Sequence, residues 1–381
     1  MTLCARCVLD SSVPGIIFDT AGTCNYCKLH DSLDTEFPRG IQGHKILDAL
    51  VSKIKAARPR SGYDCIIGVS GGVDSSFLLH WAKEKGLNPL AVHLDNGWDT
   101  DASVSNIKRL VSTLKLDLET HVLDWEEMRD ILASFIRASF PWADLPTDEA
   151  IKCALYQRAA VHGVKFILAG HNFRTEGKQP TEWTYGDGRL IAAIHKRFGA
   201  LPMRKYPNLT ASKMLYYGFA KGIKTHKPFY YMDFNKSSAK NLLSSLYGWQ
   251  DYGGHHHESV FTRFVISWWL PRKFGIDKRK VTFSALVRSG EMSRDEALAH
   301  IAEAPCTEET AAADLCYVLK KLGISEEEFN NILASQPRSF RDFPSYYPMI
   351  ERMAPLAKLF ARLIMPSKPA MLIQMNMEPK K

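Results

Sequence analysis

No stretch of these 381 residues is apolar for long enough to cross a bilayer. The longest apolar run of the C-terminal third, Phe264 to Leu270, falls far short of the ~20 residues that a spanning helix needs. The opening Met-Thr-Leu-Cys-Ala-Arg-Cys has no apolar leader, so no secretory signal is expected. Internal repeats and low-complexity tracts are also missing. Hydrophobic residues make up 45% and charged residues 24%, which is ordinary for a folded chain. These absences exclude a disordered protein, a membrane-spanning protein and a secreted disulfide scaffold. A cytoplasmic protein of about two or three domains is expected. Two nucleotide fingerprints are absent as well: there is no G-x4-G-K-[ST] Walker loop, and no G-x-G-x-x-G follows a strand. Acidic residues are in modest deficit, 41 against 49 Lys and Arg, leaving a net charge of +8. That suits an anionic partner without choosing among nucleotide, nucleic acid and acidic or phosphorylated sugar.

What is present begins with cysteine. Four of the eight fall in the first 27 residues, Cys4, Cys7, Cys24 and Cys27. Their C-x2-C-x16-C-x2-C spacing forms two knuckles able to offer four thiolates to one tetrahedral Zn²⁺. Asp19, Gly22 and Asn25 supply the turn residues around them. Thiolate-saturated zinc keeps no position open for substrate, so the expected role is structural. The other four cysteines are scattered. Cys65 lies in an apolar strand and Cys316 in a helical pattern, so both are expected as small core residues.

After the ribbon and a connector at Phe37-Pro38-Arg39-Gly40, helical spacing runs from Ile46 to Ala57. Strand and helix patterns then alternate. Strands are predicted at Tyr63–Val69, Pro89–Leu94, Leu116–Val122 and Lys165–Ala169. Helices are predicted at Ser75–Lys85, Val104–Leu114, Trp125–Ser139 and from a Thr147 cap to about His162. Such alternation implies an α/β fold, a parallel sheet covered on both faces. Residues 172–262 are irregular and rich in Gly, Pro and aromatics, and so long a stretch is usually functional. From Lys278 the pattern is helical to the end, with Ser293 and Ser325 as N-caps before acidic first turns. The expected divisions are 1–35, 45–270 and 278–381.

The sharpest chemical motif is Gly68-Val-Ser-Gly-Gly-Val-Asp-Ser-Ser76. It leaves an apolar strand and enters a helix, so backbone N–H groups and the helix dipole converge on one anion. Gly71 and Gly72 admit the anion, and Ser70, Ser75 and Ser76 add hydroxyls. Ser-Gly-Gly-x-Asp-Ser-Ser resembles the signature of the PP-loop ATP pyrophosphatases, the adenine nucleotide alpha hydrolase-like group that adenylates an oxygen and releases pyrophosphate. In that group adenine lies at the end of the second strand, here His93-Leu94-Asp95, and a Gly-His element follows a later strand, here Gly170-His171. The resemblance implies ATP contacts at Val69, Ser70, Gly71, Gly72, Asp74, Ser75, Ser76, Leu94, Gly170 and His171. Asp74 and Asp95 are candidate ligands of nucleotide or Mg²⁺; Asp74 could equally be a first-turn helix acid.

The ribbon opening with C-x-x-C-V, joined to this loop, is similar to the N-acetyl sugar amidotransferase family of surface-polysaccharide biosynthesis. So are Pro146-Thr-Asp-Glu-Ala-Ile151, Trp249-Gln-Asp-Tyr-Gly-Gly254, His257-Glu-Ser-Val-Phe-Thr-Arg-Phe264 and Lys273-Phe-Gly-Ile-Asp-Lys-Arg-Lys280. One departure is the run His255-His256-His257, where a Lys or Arg is expected. The resemblance implies an ATP-dependent ligase that turns an acetamido group into an acetamidino group in lipopolysaccharide O-antigen or related synthesis. An amide oxygen leaves poorly. Transfer of AMP to it makes an imidate that ammonia can displace, with Mg²⁺ spreading the charge on pyrophosphate.

Asp74, Asp95 and Glu258 are the catalytic candidates. Glu176, Trp183 and Tyr185 follow the Gly-His-Asn strand and are expected near the mouth, where aromatics could stack on a sugar or merely pack the loop. His257, Glu258 and Arg263 form a set able to bind an anion or move a proton, or a structural ion pair. No Gly-x-Cys-x-Gly elbow and no Cys at position 2 mark a glutaminase. By resemblance, ammonia would come from a separate glutaminase subunit paired with a cyclase-like barrel. The competing reading is tRNA thiolation, which also activates an oxygen on a PP-loop but needs reactive core cysteines. A module that only binds nucleic acid is disfavoured, because the loop is intact and no basic tract is interleaved with aromatics.

Overall fold

The computed structural model describes residues 2–253, 257–364 and 373–375. Its centre is a five-stranded, all-parallel sheet with strands β1 Cys65–Gly68, β2 Pro89–Asp95, β3 Leu118–Val122, β4 Phe166–Leu168 and β5 Lys224–His226. The spatial order is β3-β2-β1-β4-β5. Strands buried on both faces read as continuous apolar runs, and neighbouring residues feed different layers. Ile66 packs with Leu90, Val92 and Ile167 on one side, while Ile67 packs with Ala91 and Leu168 on the other. The chain winds outward from β1 through β2 to β3, then returns to lay β4 on the opposite side of β1. This reversal opens a crevice at the C-terminal ends of β1 and β4, where open α/β sheets bind ligands.

Four strands lie where the sequence pattern puts them. β5 was not foreseen: Lys224-Thr-His is short, polar and mostly exposed, a sheet edge without an apolar signature. The helix Leu145–His162 begins ahead of the predicted Thr147 cap, with Pro146 in its first turn where a missing N–H is harmless. The Thr147 hydroxyl instead accepts from Asn96 Nδ2 at 3.2 Å. Ser293 and Ser325 cap their helices as expected, accepting from Glu296 and Glu328 N–H groups. Cys65 is buried, but Cys316 is exposed, on the outer face of the helix Glu308–Leu322.

Boundaries 35 and 278 fall at element ends, but 45 lies inside the helix Gly40–Ala56 and 270 inside the helical stretch Val265–Phe274, and the largest apolar cluster runs across all of them. It joins Leu29 and Leu33 of the ribbon's helix, Ile131 and Phe135, Trp268 and Trp269, and Val318, Phe329 and Phe340 of the helical C-terminal region. No helix among the described residues is long and apolar enough to cross a membrane.

Candidate functional site

The four ribbon cysteines are fully buried, with their Sγ atoms all within 4.8 Å of one another. Cys4–Cys27, Cys7–Cys24 and Cys24–Cys27 are separated by 3.9, 3.8 and 3.6 Å. A tetrahedron with metal–sulfur bonds of about 2.3 Å has edges of about 3.8 Å, so the sulfurs fit a metal as they stand. Backbone N–H groups of Arg6 and Cys24 donate to Cys4 Sγ at 3.4 and 3.3 Å. From far along the chain, Arg288 donates Nε to Cys27 Sγ and Nη2 to Cys7 Sγ, both at 3.3 Å. Hydrogen bonding from Cys24, helped by the Arg288 charge, holds the Cys7 and Cys27 thiols below their ordinary range. Arg288 was invisible in the sequence pattern, because a lone arginine late in a helix carries no sign of a partner in another module.

The phosphate loop, residues 69–72, joins β1 to the helix Val73–Glu84. Gly71 has φ +76°, and a Cβ there would lie 2.3 Å from the Ser103 carbonyl oxygen, so only glycine fits. Trp249 Nε1 and Asn106 Nδ2 donate to the Gly71 carbonyl at 2.9 and 3.3 Å, which braces the loop from outside. Within it, Ser70 N–H donates to Ser75 Oγ and Gly72 N–H to Ser70 Oγ, each at 3.3 Å. His93 Nδ1 binds the Val69 carbonyl at 2.9 Å while Asp99 holds its other nitrogen at 3.2 Å. Ser76, in the first turn of the helix Val73–Glu84, is buried.

Asp74, in the first turn of the loop helix, sets Oδ2 3.2 Å from Lys236 Nζ. Its Oδ1 is buried with no hydrogen-bond partner among the described residues. A buried carboxylate oxygen without a donor is costly unless a cation or ligand completes it. Lys236 opens the helix Lys236–Tyr247, capped by Asn235. Burial opposes its charge, but Asp74, then Glu176 and Glu258, hold the ammonium above its ordinary range. A Cβ on Gly72 would lie 3.0 Å from Tyr252 Oη and 3.6 Å from Glu258 Oε1, so both stand over the loop. Local pairing delivers that segment. Asp99 bridges Ser259, Thr100 N–H donates to the Glu258 carbonyl at 3.0 Å, and Val260 N–H donates to that of Trp98 at 2.9 Å.

Ser70, Gly72, Asp74 and Glu258 are thus brought together, with Glu176 joined through Lys236. Gly170 closes on them, since a Cβ there would sit 3.5 Å from the Asp74 backbone; His171 beside it is exposed. Leu94 is buried at the end of β2. Asp95 Oδ1 closes a turn by accepting the Gly97 N–H at 2.9 Å, one strand over from the loop. Arg263 is paired away from the phosphate loop. Its guanidinium is bound in bidentate fashion by Asp314, both contacts 2.7 Å, which makes it a structural pair between two helices. Trp183 is buried in the largest apolar cluster. The Tyr185 ring packs on Phe340 and Tyr347, and its hydroxyl donates to Asp187. None of these contacts involves the loop. His257 borders the segment 254–256, so His255 and His256 lie outside the described residues. Lys236 and Tyr252 are the site residues that the sequence reading missed. For Lys236 the available signal was Asn235 as a helix start, and a cap says nothing of where the next side chain reaches; Tyr252 lay in the quoted segment 249–254, which gave it no role.

Residues 258–356 match the family described as "LPS biosynthesis protein WbpG-like, C-terminal domain". This segment, about a quarter of the chain, is similar to that family. The WbpG-like segment supplies Glu258 to the phosphate loop and Arg288 to the cysteine cluster, and it agrees with the resemblance drawn from the motifs. No curated protein matches the chain. Among solved structures, NH3-dependent NAD synthetase from Campylobacter jejuni is 16% identical, covering 82% of this chain and 98% of its own at a TM-score of 0.32. U34-tRNA thiolase NcsA from Methanococcus maripaludis is 14% identical, covering 86% and 99%, also at 0.32. NMN synthetase from Francisella tularensis is 14% identical, covering 66% and 94% at 0.27. Likenesses this low carry no argument. The fold class rests on the sheet order, the switch-point crevice and the loop itself: a parallel-sheet PP-loop domain with an N-terminal four-cysteine ribbon and a helical C-terminal region.

Proposed function

We propose that this chain is an ATP-dependent amidotransferase that converts the acetamido group of an N-acetyl sugar into an acetamidino group during surface-polysaccharide synthesis. The carrying observation is that the WbpG-like segment sets Glu258 over an intact phosphate loop, beside a buried and incomplete Asp74. In this reading the loop N–H groups and the Lys236 ammonium hold the β and γ phosphates and stabilise departing pyrophosphate. The amide oxygen attacks the α-phosphorus, and ammonia then displaces AMP from the imidate. Asp74 and Glu258 offer the hard oxygen donors that suit Mg²⁺, which when bound supplies further neutralisation of phosphate charge. The four thiolates suit a structural Zn²⁺.

Thiolation is less well supported. Cys65 and Cys153 are buried, and burial pushes both thiols up, away from the thiolate that a persulfide route requires. The test is incubation with ATP, ammonium and a panel of free and nucleotide-linked N-acetylhexosamines. AMP, pyrophosphate and a sugar lighter by the difference between O and NH are expected. ADP and phosphate in their place would sink the adenylation mechanism.

Ammonia is proposed to arrive from a separate glutaminase acting with a cyclase-like barrel. The chain alone should therefore use ammonium salts but leave glutamine intact. Turnover with ammonium should climb toward pH 9 as free ammonia increases, and a partnered glutaminase should flatten that rise. Stoichiometric glutamate release by the purified chain would refute this division of labour.

A further inference from the structure

The positive charge of the chain is gathered in one stretch. From Gly188 to Met232 there is no aspartate or glutamate, while nine Lys and Arg occur. The other residues carry 40 Lys and Arg against 41 Asp and Glu, so the whole net charge of +8 arises within these 45 residues. Among the described residues only one of the nine cations, Lys205, is in an ion pair, with Asp124.

Apolar side chains are exposed in the same stretch. The helix Ala211–Leu215 runs on without a break into the wider helical turn Tyr216–Ala220. One side of it is seated on the sheet. Tyr217 is buried with Leu209 and Ile223, and its ring stacks on Tyr156, centroids 5.5 Å apart and planes at 12°. Met214, Leu215, Tyr216 and Phe219 are exposed, Phe219 by 84%. Single exposed apolar residues need no explanation, but four within six positions form a patch. Three lysines border it. Lys165 Nζ donates to the Lys221 carbonyl at 2.6 Å, and Lys221 Nζ lies 5.6 Å from the centroid of the Tyr216 ring. Lys224 N–H donates to the Lys165 carbonyl at 2.8 Å. These lysines stand at the N-terminal ends of β4 and β5, whereas the phosphate loop leaves the C-terminal end of β1.

We infer that this helix and its lysines are a docking surface for an anionic lipid bilayer. Met214, Leu215 and Phe219 enter the boundary between headgroups and acyl chains, Tyr216 sits at headgroup level, and Lys165, Lys221 and Lys224 meet lipid phosphates. The helix is far too short to cross, so it lies in the surface. Charge complementarity selects this occupant. A second copy of the chain would set lysine against lysine. A nucleic-acid strand asks for stacking faces in a basic groove, and Met214 and Leu215 offer none. A protein that brings ammonia must reach the crevice, at the other end of the parallel strands. Docking here leaves that crevice open to solution, and the inference does not depend on the amidation reading.

The test is flotation of the full chain with vesicles. The chain should float with mixed phosphatidylglycerol and phosphatidylcholine, stay behind with phosphatidylcholine alone, and be released by salt. Lys165→Gln, Lys221→Gln and Lys224→Gln combined should lower partitioning by about a hundredfold. Leu215→Ser combined with Phe219→Ser should lower it by about tenfold or more with charge unchanged. None of these side chains is buried, so unfolding midpoints should hold, which separates lost docking from lost folding. A wild-type chain that does not float would overturn the inference. Equal flotation with neutral vesicles would do so too, as would a Leu215→Ser, Phe219→Ser variant that floats like wild type. Binding of a single-stranded RNA through these same residues, without flotation, would assign the surface to nucleic acid instead.

Discussion

Asp74→Asn is expected to lower AMP formation by about 10²–10³-fold, the loss typical when one charge-stabilising group leaves a preorganised site. The substitution keeps the shape of a first-turn residue and removes only charge. Asp74 Oδ2 is 3.2 Å from Lys236, and Oδ1 is the buried oxygen without a donor, so the variant alters the atoms that would meet a cation and its phosphates. Lys236→Met should fall by a similar factor, because the remaining carboxylates, Glu176 and Glu258, would face phosphate without an intervening cation. Lys236→Arg should recover part of that loss. Neither side chain supports an apolar cluster, so far-UV spectra and unfolding midpoints should change little. The order of effects is informative. Asp74→Asn should also raise the Mg²⁺ concentration needed for half-maximal rate, whereas Lys236→Met should act mainly on ATP. Wild-type AMP release by both variants would remove the phosphate loop from the mechanism.

The parts of this site that were legible in the sequence are those written locally. A strand end, three glycines, hydroxyls and a helix start lie within a nine-residue run, Gly68–Ser76, and each constraint is met by neighbours along the chain. The two cysteine knuckles are legible for the same reason. What stayed hidden is made by long side chains reaching partners far away in the sequence. Lys236 reaches Asp74, Arg288 reaches Cys7 and Cys27, and Trp249 braces the Gly71 carbonyl. Arg263 shows the opposite failure. In sequence it is a cation near Glu258, but in the fold Asp314 binds its Nε and Nη2. Proximity along a chain does not fix which face of a helix a residue takes, and only packing on the helix Glu308–Leu322 decided that. Cys316 failed likewise, since a helical pattern gave the helix but put this thiol on its wet side.

Replacing Cys24 with Ala is expected to abolish metal binding, unfold the ribbon and reduce AMP formation together. Apparent binding energies of structural zinc are about 10–16 kcal/mol. A whole domain is stable by only about 5–15 kcal/mol, so a ribbon of this size cannot stay folded without its ion. The coupling to activity runs through Arg174. That buried guanidinium donates to Asp34 at 2.6 Å, to the Phe37 carbonyl at 2.7 Å and to the Tyr230 carbonyl at 2.8 Å. Asp34 belongs to the ribbon's helix Asn25–Glu36, whereas Arg174 lies in the turn Phe173–Glu176 that ends on Glu176. Freeing the ribbon would leave a buried arginine without its carboxylate and loosen the turn that carries Glu176, whose charge acts on Lys236. The sheet keeps its own two apolar clusters, which contain no ribbon residue, so it should remain folded and still bind ATP weakly. The expected pattern in limited proteolysis is therefore early cleavage before Gly40 with a resistant remainder. Metal analysis should find one zinc per wild-type chain and none in the variant. A metal-free Cys24→Ala protein with the wild-type unfolding midpoint and protease pattern would show that the cysteines are only packed thiols. An iron–sulfur absorption band in the wild type would overturn the zinc assignment and reopen the thiolation reading.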